Sequence, residues 1–297
     1  MEASGASGRL SSVRKVALVV NTDKPKAVAA GRDIINWLEG RKIQPMIAPE
    51  GAAKVNRPEL AVVPGQEWET AEMMIVLGGD GTLIRAAQTI APTNVPVLGV
   101  NTGHLGFLTE IEHAELFDHL DDFLDGHYII EERMMLTARV EREGRQLTEM
   151  TALNEAVIAK GPRARLIHLG VYVGDTQVAQ YPADGVILAT PTGSTAYSFS
   201  AGGPIVGPTV DVLLVTPICP HTMNSRTMVI PGNEQVSIVV IESPGEVGLS
   251  ADGSDPYPLA RGDVIRFNRA PHYARFIRRH PHRFYEGLRE KLANPWR

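Results

Sequence analysis

The densest chemistry in the chain lies in five residues, Gly78-Gly79-Asp80-Gly81-Thr82. The apolar run Met73-Met74-Ile75-Val76-Leu77 precedes them, and helical spacing follows from about Leu83 to Ile90. Glycines between a strand and a helix let main-chain N–H groups approach a phosphate, and a helix N-terminus adds partial positive charge. Asp80 runs against that reading, because a carboxylate repels phosphate. It needs a task of its own, as general base for a hydroxyl or as a metal contact. The bland alternative is a turn in which Asp80 caps the helix. No Gly-Lys-Ser/Thr follows, so this is not a Walker loop.

A second candidate starts at Asp184-Gly185 and runs through strand Val186 to Thr190 into Pro191-Thr192-Gly193-Ser194-Thr195-Ala196-Tyr197-Ser198-Phe199-Ser200. Thr192, Ser194, Thr195 and Ser198 offer hydroxyls and Tyr197 an aromatic face, a suitable wall for an uncharged purine and its ribose. A Ser/Gly-rich surface loop is the alternative. The third candidate is Asn154-Glu155 inside an apolar strand. Neighbouring strand residues face opposite ways, so at least one polar group occupies a core position unless the strand is an edge. The nine histidines show no metal spacing. His280-Pro281-His282 reads as a solvated turn. Arg275, Arg278, Arg279 and Arg283 read as an exposed basic face or a contact with acidic surface, with phosphate binding as the sharper option. Trp37, Trp68 and Trp296 read as packing residues.

Two kinds of element must hold these groups. The first part alternates strand and helix: strands at Val16 to Val20, Ile43 to Ala48, Met73 to Leu77 and Val97 to Val100, a helix capped by Asp23 and stopped by Gly40, and an amphipathic helix from Glu112 to Leu124. Residues 49–70 read mostly as loop. After Gly126, short strands with turn signals dominate: Met135 to Val140, Leu153 to Lys160, Leu166 to Val173, Val236 to Ile241 and Val264 to Asn268. Helical spacing returns from Phe284 to Leu292. The expected fold is an α/β N-terminal domain with a parallel, Rossmann-like sheet over residues 13–126, joined by 272–297, and an all-β antiparallel C-terminal sandwich over 127–271.

Composition limits the function classes. The chain has 297 residues, long enough for two domains, with 43% hydrophobic and 21% charged residues and a net charge of −5. An acidic balance speaks against nucleic acid as partner, and an anionic ligand must be held by local donors. Cys219 is the only cysteine, which excludes an intrachain disulfide and a cysteine zinc site. The start has no basic and apolar leader pattern, and no apolar run nears the ~20 residues of a membrane helix. The expectation is a cytoplasmic protein without membrane contact.

Together, Gly78 to Thr82, Asn154-Glu155, Thr190 to Ser198 and Leu98-Gly99-Val100-Asn101-Thr102-Gly103-His104-Leu105-Gly106-Phe107-Leu108 resemble, in family order, the motifs of the NAD kinases. That family shares the glycine motif with 6-phosphofructokinases and lipid kinases. The resemblance implies transfer of the ATP γ-phosphoryl group to the adenosine ribose 2′-hydroxyl of NAD, with Asp80 as general base and a divalent metal, Mg²⁺, bound with ATP rather than in a protein metal site. It also implies substrate contacts from Gly79 and Gly81. Asn154 and Glu155 would hold the ribose and phosphate region, Asp184 the nicotinamide end, and Thr195, Ala196 and Tyr197 the adenine, with Ser200 nearby. Thr192, Ser194 and Ser198 join the same wall. Arg85 and Arg165 match basic or polar contacts. Ser254 stands where the family pattern has glutamine, and Pro182 where relatives are often basic. Polyphosphate is an alternative donor, and a homodimer or homotetramer the implied assembly. Two other readings stay open: a lipid kinase of the diacylglycerol or sphingosine type, and a sensor that binds NAD(P) without turnover.

Overall fold

The computed structural model describes residues 13–63, 67–103, 106–162, 165–222, 225–281 and 283–293. The first part builds β1 (Lys15–Val20), α1 (Pro25–Gly40), β2 (Gln44–Ile47), α2 (Pro49–Lys54), β3 (Met73–Gly78), α3 (Asp80–Ile90), β4 (Val97–Asn101), β5 (Ile111–Glu112), α4 (His113–Leu124) and β6 (Ile129–Arg133). β3 and β4 are buried along their whole length, which is why both read as unbroken apolar runs. α1 buries Ala27, Ala30, Ile34, Ile35 and Leu38 on one face. Asp23, expected as its cap, is exposed; the cap position falls on Lys24, without a side-chain cap bond. The described residues of 49–70 hold more regular structure than expected: α2 and a 3₁₀ turn at Pro58–Leu60, where Pro49 and Pro58 occupy first-turn positions at which a missing N–H costs nothing, and a second 3₁₀ turn at Trp68–Thr70.

The second part builds β7 (Leu136–Arg142), β8 (Arg145–Ala152), β9 (Glu155–Lys160), β10 (Ile167–Val173), β11 (Thr176–Ala183), β12 (Gly185–Ala189), α5 (Tyr197–Ser200), β13 (Val212–Ile218), β14 (Met228–Pro231), β15 (Val236–Glu242), β16 (Val247–Ala251), β17 (Tyr257–Pro258) and β18 (Val264–Arg269). Two antiparallel sheets result, ordered β11-β10-β15-β18-β7-β8 and β14-β13-β12-β9-β16-β17. Their inner faces share a core that includes Leu169, Ile238 and Phe267 from one sheet and Ile158, Leu188 and Leu213 from the other.

The chain then returns to the first sheet through β19 (Ala274–Arg278) and ends in α6 (Arg283–Ala293). That sheet runs β2-β1-β3-β4-β19-β6, with β5 beside β4; β1 to β4 are parallel and β6 is antiparallel to β19. The change of sequence grammar at Gly126 thus precedes the change of sheet by one strand. A mixed apolar cluster joins the two parts, with Leu83, Ala87 and Ile90 of α3 in one body with Met135, Leu153 and Ala270. Among the described residues no helix is long and apolar enough to cross a membrane.

Where β19 and β6 meet β4 and its following loop, the structure buries charge. Arg278 donates from Nη1 to the Leu108 carbonyl at 2.8 Å and from Nε to Glu131 at 2.9 Å, with Glu110 Oε2 at 3.3 Å. Its side chain is 4% exposed. Of the basic cluster, Arg278 is therefore a buried structural cation, while Arg275 pairs with Glu132 and Arg279 with Glu115. Removing one member of a buried pair costs about 3–5 kcal/mol, because the partner charge is left uncompensated. Arg278→Ala is expected to lose that much stability in urea unfolding, since Glu110 loses the guanidinium beside it and Glu131 is left with Arg133 alone.

Candidate active site

Asp80 is the first residue of α3, and extended Gly79 precedes it as the cap. The helix starts three residues before the expected Leu83 because the Gly79 carbonyl already accepts the N–H groups of Thr82 and Leu83. A negative group suits that helix end. The Asp80 carboxylate accepts the main-chain N–H of Phe107 at 2.8 Å and of Leu108 at 3.2 Å, one on each oxygen. Gly106 makes the approach possible: a Cβ there would overlap the carboxylate. Each oxygen keeps a lone pair for a substrate hydroxyl.

Asp80, Phe107 and Leu108 form one side of a cavity of about 220 Å³. Asn154, Thr192, Thr195 and Ala196 form the facing side, with Arg133 and Phe284 completing the wall. Arg133 is 2% exposed. It is tied to Glu131 through Nε at 2.9 Å and Nη2 at 2.8 Å, and Nη1 donates to Thr192 Oγ1 at 3.3 Å. Burial pulls its guanidinium down to about 10, against the opposing pull of Glu131, so it stays a cation at neutral pH. Burial pushes Glu131 up, but Arg278 and Arg133 outweigh it and hold that carboxyl below its ordinary value.

The second-domain wall is built from the inside. Thr190 Oγ1 donates to the Leu153 carbonyl at 2.6 Å and accepts the Gly193 N–H at 3.2 Å. Gly193 presses on the Asn154 backbone so closely that a Cβ would collide with it. Ser194 and Ser198 are fully buried: Ser194 Oγ donates to the Pro191 carbonyl at 2.7 Å, and Ser198 Oγ pairs with Thr216 Oγ1 at 2.9 Å. The hydroxyls of Thr190, Ser194 and Ser198 fold the loop, and of this run's hydroxyl residues Thr192 and Thr195 line the cavity.

Behind Asn154 sit two carboxylates. Asp252 takes the N–H groups of Leu153, Asn154 and Glu155 at 2.6, 2.9 and 3.0 Å, and the Gln88 amide at 2.6 Å. Burial raises the Asp252 carboxyl, with its donors pulling the other way. Glu155 is 8% exposed, and its Oε2 is buried without a hydrogen-bond partner. Burial first, then Asp252, push the Glu155 carboxyl up to about 7.

Other expected contacts lie apart from this cavity. Arg85 lines a separate cavity of about 410 Å³ with Trp68 and Thr89. Arg165 is exposed ahead of β10, and Tyr197 and Ser200 are exposed on α5. Asp184 pairs with Lys160 at 2.7 Å, at the end of β12 opposite Thr192. Ser254 lies in an exposed turn, its Oγ accepting the Ala251 N–H at 3.1 Å. Gly81 faces open space and Gly79 the ammonium of Lys24, which also stands over Gly103. Residues 104–105, His282, Trp296 and the side chain of Arg283 lie outside the described residues. Arg133, Phe284 and Gln88 are site residues without a local motif, the spacing of Glu131 and Arg133 on one strand face being their one signal, whereas Asp252 falls in Ala251-Asp252-Gly253-Ser254, which resembles a family Asp-Gly turn. Among the described residues no three His, Cys, Asp or Glu side chains cluster as a metal site.

Two family models cover most of the chain: the ATP-NAD kinase N-terminal domain matches residues 16–128 and the ATP-NAD kinase C-terminal domain residues 153–279. An NAD kinase of Symbiobacterium thermophilum is 59% identical over 279 residues, covering 94% of this chain and 99% of the relative. An NAD kinase of Moorella thermoacetica is 47% identical, covering 94% and 89%. Among solved structures, a yeast NADH kinase complexed with NADH is similar with a TM-score of 0.85 at 26% identity, covering 95% of this chain and 88% of that one. An Archaeoglobus fulgidus NAD kinase in complex with ATP shares the fold, with a TM-score of 0.71 at 24% identity, covering 94% and 98%.

The raised Glu155 carboxyl gives a signed test. The unfolded chain ionises at the ordinary carboxylate pH, the folded one only near 7, so the native state loses stability as pH rises from about 4.5 to 7. Each tenfold change in an ionisation equilibrium is worth about 1.4 kcal/mol. Glu155→Gln is expected to melt higher than the parent at pH 8 and to lose that advantage at pH 5.

Proposed function

The chain belongs to the family of ATP-dependent NAD kinases, and we propose that its reaction runs in the Asp80 cavity. The adenosine ribose 2′-hydroxyl of NAD gives its proton to Asp80 as its oxygen attacks the γ-phosphorus of ATP. The bond from that phosphorus to the bridging oxygen of ADP breaks, leaving NADP and ADP. The observation that carries this reading is the Asp80 carboxylate, held by the Phe107 and Leu108 amides with a free lone pair on each oxygen of the cavity wall. A positioned base of this kind contributes about 10²–10⁴-fold.

The rest is alignment and charge. Asn154, Thr192, Thr195 and Ala196 face the nucleoside, and Arg133 brings a buried cation to the cavity wall. Lys24, over Gly79 and Gly103, adds positive charge beside the glycine loop. Asp80, the one carboxylate among the described residues of the cavity wall, would face a divalent metal, Mg²⁺, which would supply neutralisation of the triphosphate charge when bound with ATP. The hydroxyl-lined wall does not suit a lipid tail, and the named relatives are NAD and NADH kinases. A non-catalytic sensor leaves the held carboxylate without a purpose. The exposed, unpaired Cys219 fits a reducing cytoplasm. Exposed Val178, Val210 and Val229 of the second domain are available for a homodimer or homotetramer.

Asp80→Asn, which keeps the shape and removes the base, is expected to cut NADP formation at least about 10²-fold with NAD binding retained in calorimetry. Turnover near that of the parent would refute the general-base role. Gly106→Ala is expected to lower kcat by a similar factor, because the new methyl must displace the carboxylate; an unchanged kcat would show that the Phe107 and Leu108 contacts do not matter.

A further inference from the structure

Asp252 lies outside the cavity wall, yet more main-chain donors converge on it than on Asp80. One oxygen takes the Leu153 N–H and the Gln88 side-chain amide, both at 2.6 Å; the other takes the N–H groups of Asn154 and Glu155. The contact is reciprocal, since the Asp252 N–H donates to the Glu155 carbonyl at 3.0 Å. Asp252 sits just past the end of β16 with φ of 46°, a left-handed turn that aspartate and asparagine tolerate. Gln88 lies on α3, eight residues after Asp80, or about 12 Å along the helix axis. It also donates to the Thr151 carbonyl at 3.0 Å.

Resting on the reading of the cavity given above, we propose that Gln88 and Asp252 form a cross-domain clamp that sets the separation between Asp80 and the Asn154-Glu155 backbone, which makes both positioning residues for phosphoryl transfer. The base stands on one domain and the wall that orients the nucleoside on the other. Apolar contacts between Leu83, Ala87 and Ile90 and Met135, Leu153 and Ala270 bring the two together but are non-directional, so they tolerate sliding. Four N–H donors converging on one carboxyl group fix direction and distance. The clamp ties the helix that carries Asp80 to the backbone of the facing wall, and a displacement of about 1 Å at a reacting centre can cost ~10²-fold in rate.

The test is a series at position 88 measured for kcat, KM for NAD, melting temperature and amide exchange at Leu153, Asn154 and Glu155. Gln88→Lys keeps a donor toward Asp252, Gln88→Leu keeps the bulk without the donor, and Gln88→Glu sets a second carboxylate against the first. The expected order of kcat is Lys within about threefold of the parent, Leu about tenfold lower and Glu lower still, with KM changed less than kcat. Asp252→Asn tolerates the same left-handed turn, and is expected to lose kcat by at least about tenfold and to speed exchange of the three amides. If Leu equals or exceeds Lys, position 88 is a packing residue and the clamp is overturned. Amide exchange unchanged in Asp252→Asn overturns it independently of any activity. A parent protein that protects these amides but forms no NADP would instead sink the reading of the cavity on which the positioning role rests.

Discussion

The site depends on one short contact: a carboxylate at the start of a helix, pinned by two consecutive main-chain N–H groups from a loop twenty-seven residues further on. That contact explains why the loop after β4 must have no side chain at Gly106. It also answers the objection that a carboxylate does not belong in a phosphate-binding loop. The Asp80 oxygens turn to the loop after β4 and to the cavity, while the helix end and the neighbouring glycine amides stay available to an anion. On the proposed reading, base and phosphate site are then adjacent without being the same place.

From there the architecture follows as a support problem. α3 carries the base, β9 and the turn after β12 carry the facing wall, and both must be fixed to one another although they come from different sheets. Thr190 and Gly193 fasten the turn to Leu153 and Asn154; Asp252 fastens Leu153, Asn154 and Glu155 from the other side. Glu155 then bears the cost of this crowding. It is buried next to another carboxylate, with one oxygen left without a partner. An unsatisfied buried acceptor costs about 1–3 kcal/mol. Its place ahead of the apolar run Ala156 to Ala159 puts that cost at the site, as strain and misfit tend to be placed.

The sequence made the local parts legible and left the long-range parts hidden, for a physical reason. β3, β4, α3 and the sandwich strands announce themselves through buried runs and alternation, because each depends on its own residues meeting a core. Asp80, Asn154, Thr192, Thr195 and Ala196 fall within compact motifs and come together at one cavity. The hydroxyl-rich run was harder to divide. Ser194 and Ser198 look like ligand donors in sequence, yet their oxygens satisfy buried polar groups in the fold. Arg133 and Gln88 have no motif, and neither the Asp-Gly turn at Asp252 nor the basic cluster at Arg278 tells what its residue contacts. Each acts through a partner 59 to 170 residues away or through a face exposed only once the sheets are assembled, and β19 enters the first sheet between two strands that precede it by more than 140 residues.

The same reasoning applies to charge. A protein with net charge −5 that takes two polyanionic substrates cannot rely on its overall field. Exposed lysines and arginines alone would be screened within about 10 Å at ordinary salt. The structure instead buries cations beside the reaction space. Arg133 opens onto the cavity and Arg278 supports the loop that holds Asp80, each with a carboxylate, Glu131 shared between them and Glu110 against Arg278. Partnering removes most of the desolvation penalty that a lone buried guanidinium would carry. It also lets Arg133 keep a directed N–H group at the wall, toward Thr192, rather than fold away toward solvent. The pairing thus does two things: it makes a buried cation tolerable, and it fixes that cation at the wall of the Asp80 cavity, so that on the proposed reading little would have to reorganise when charge develops there.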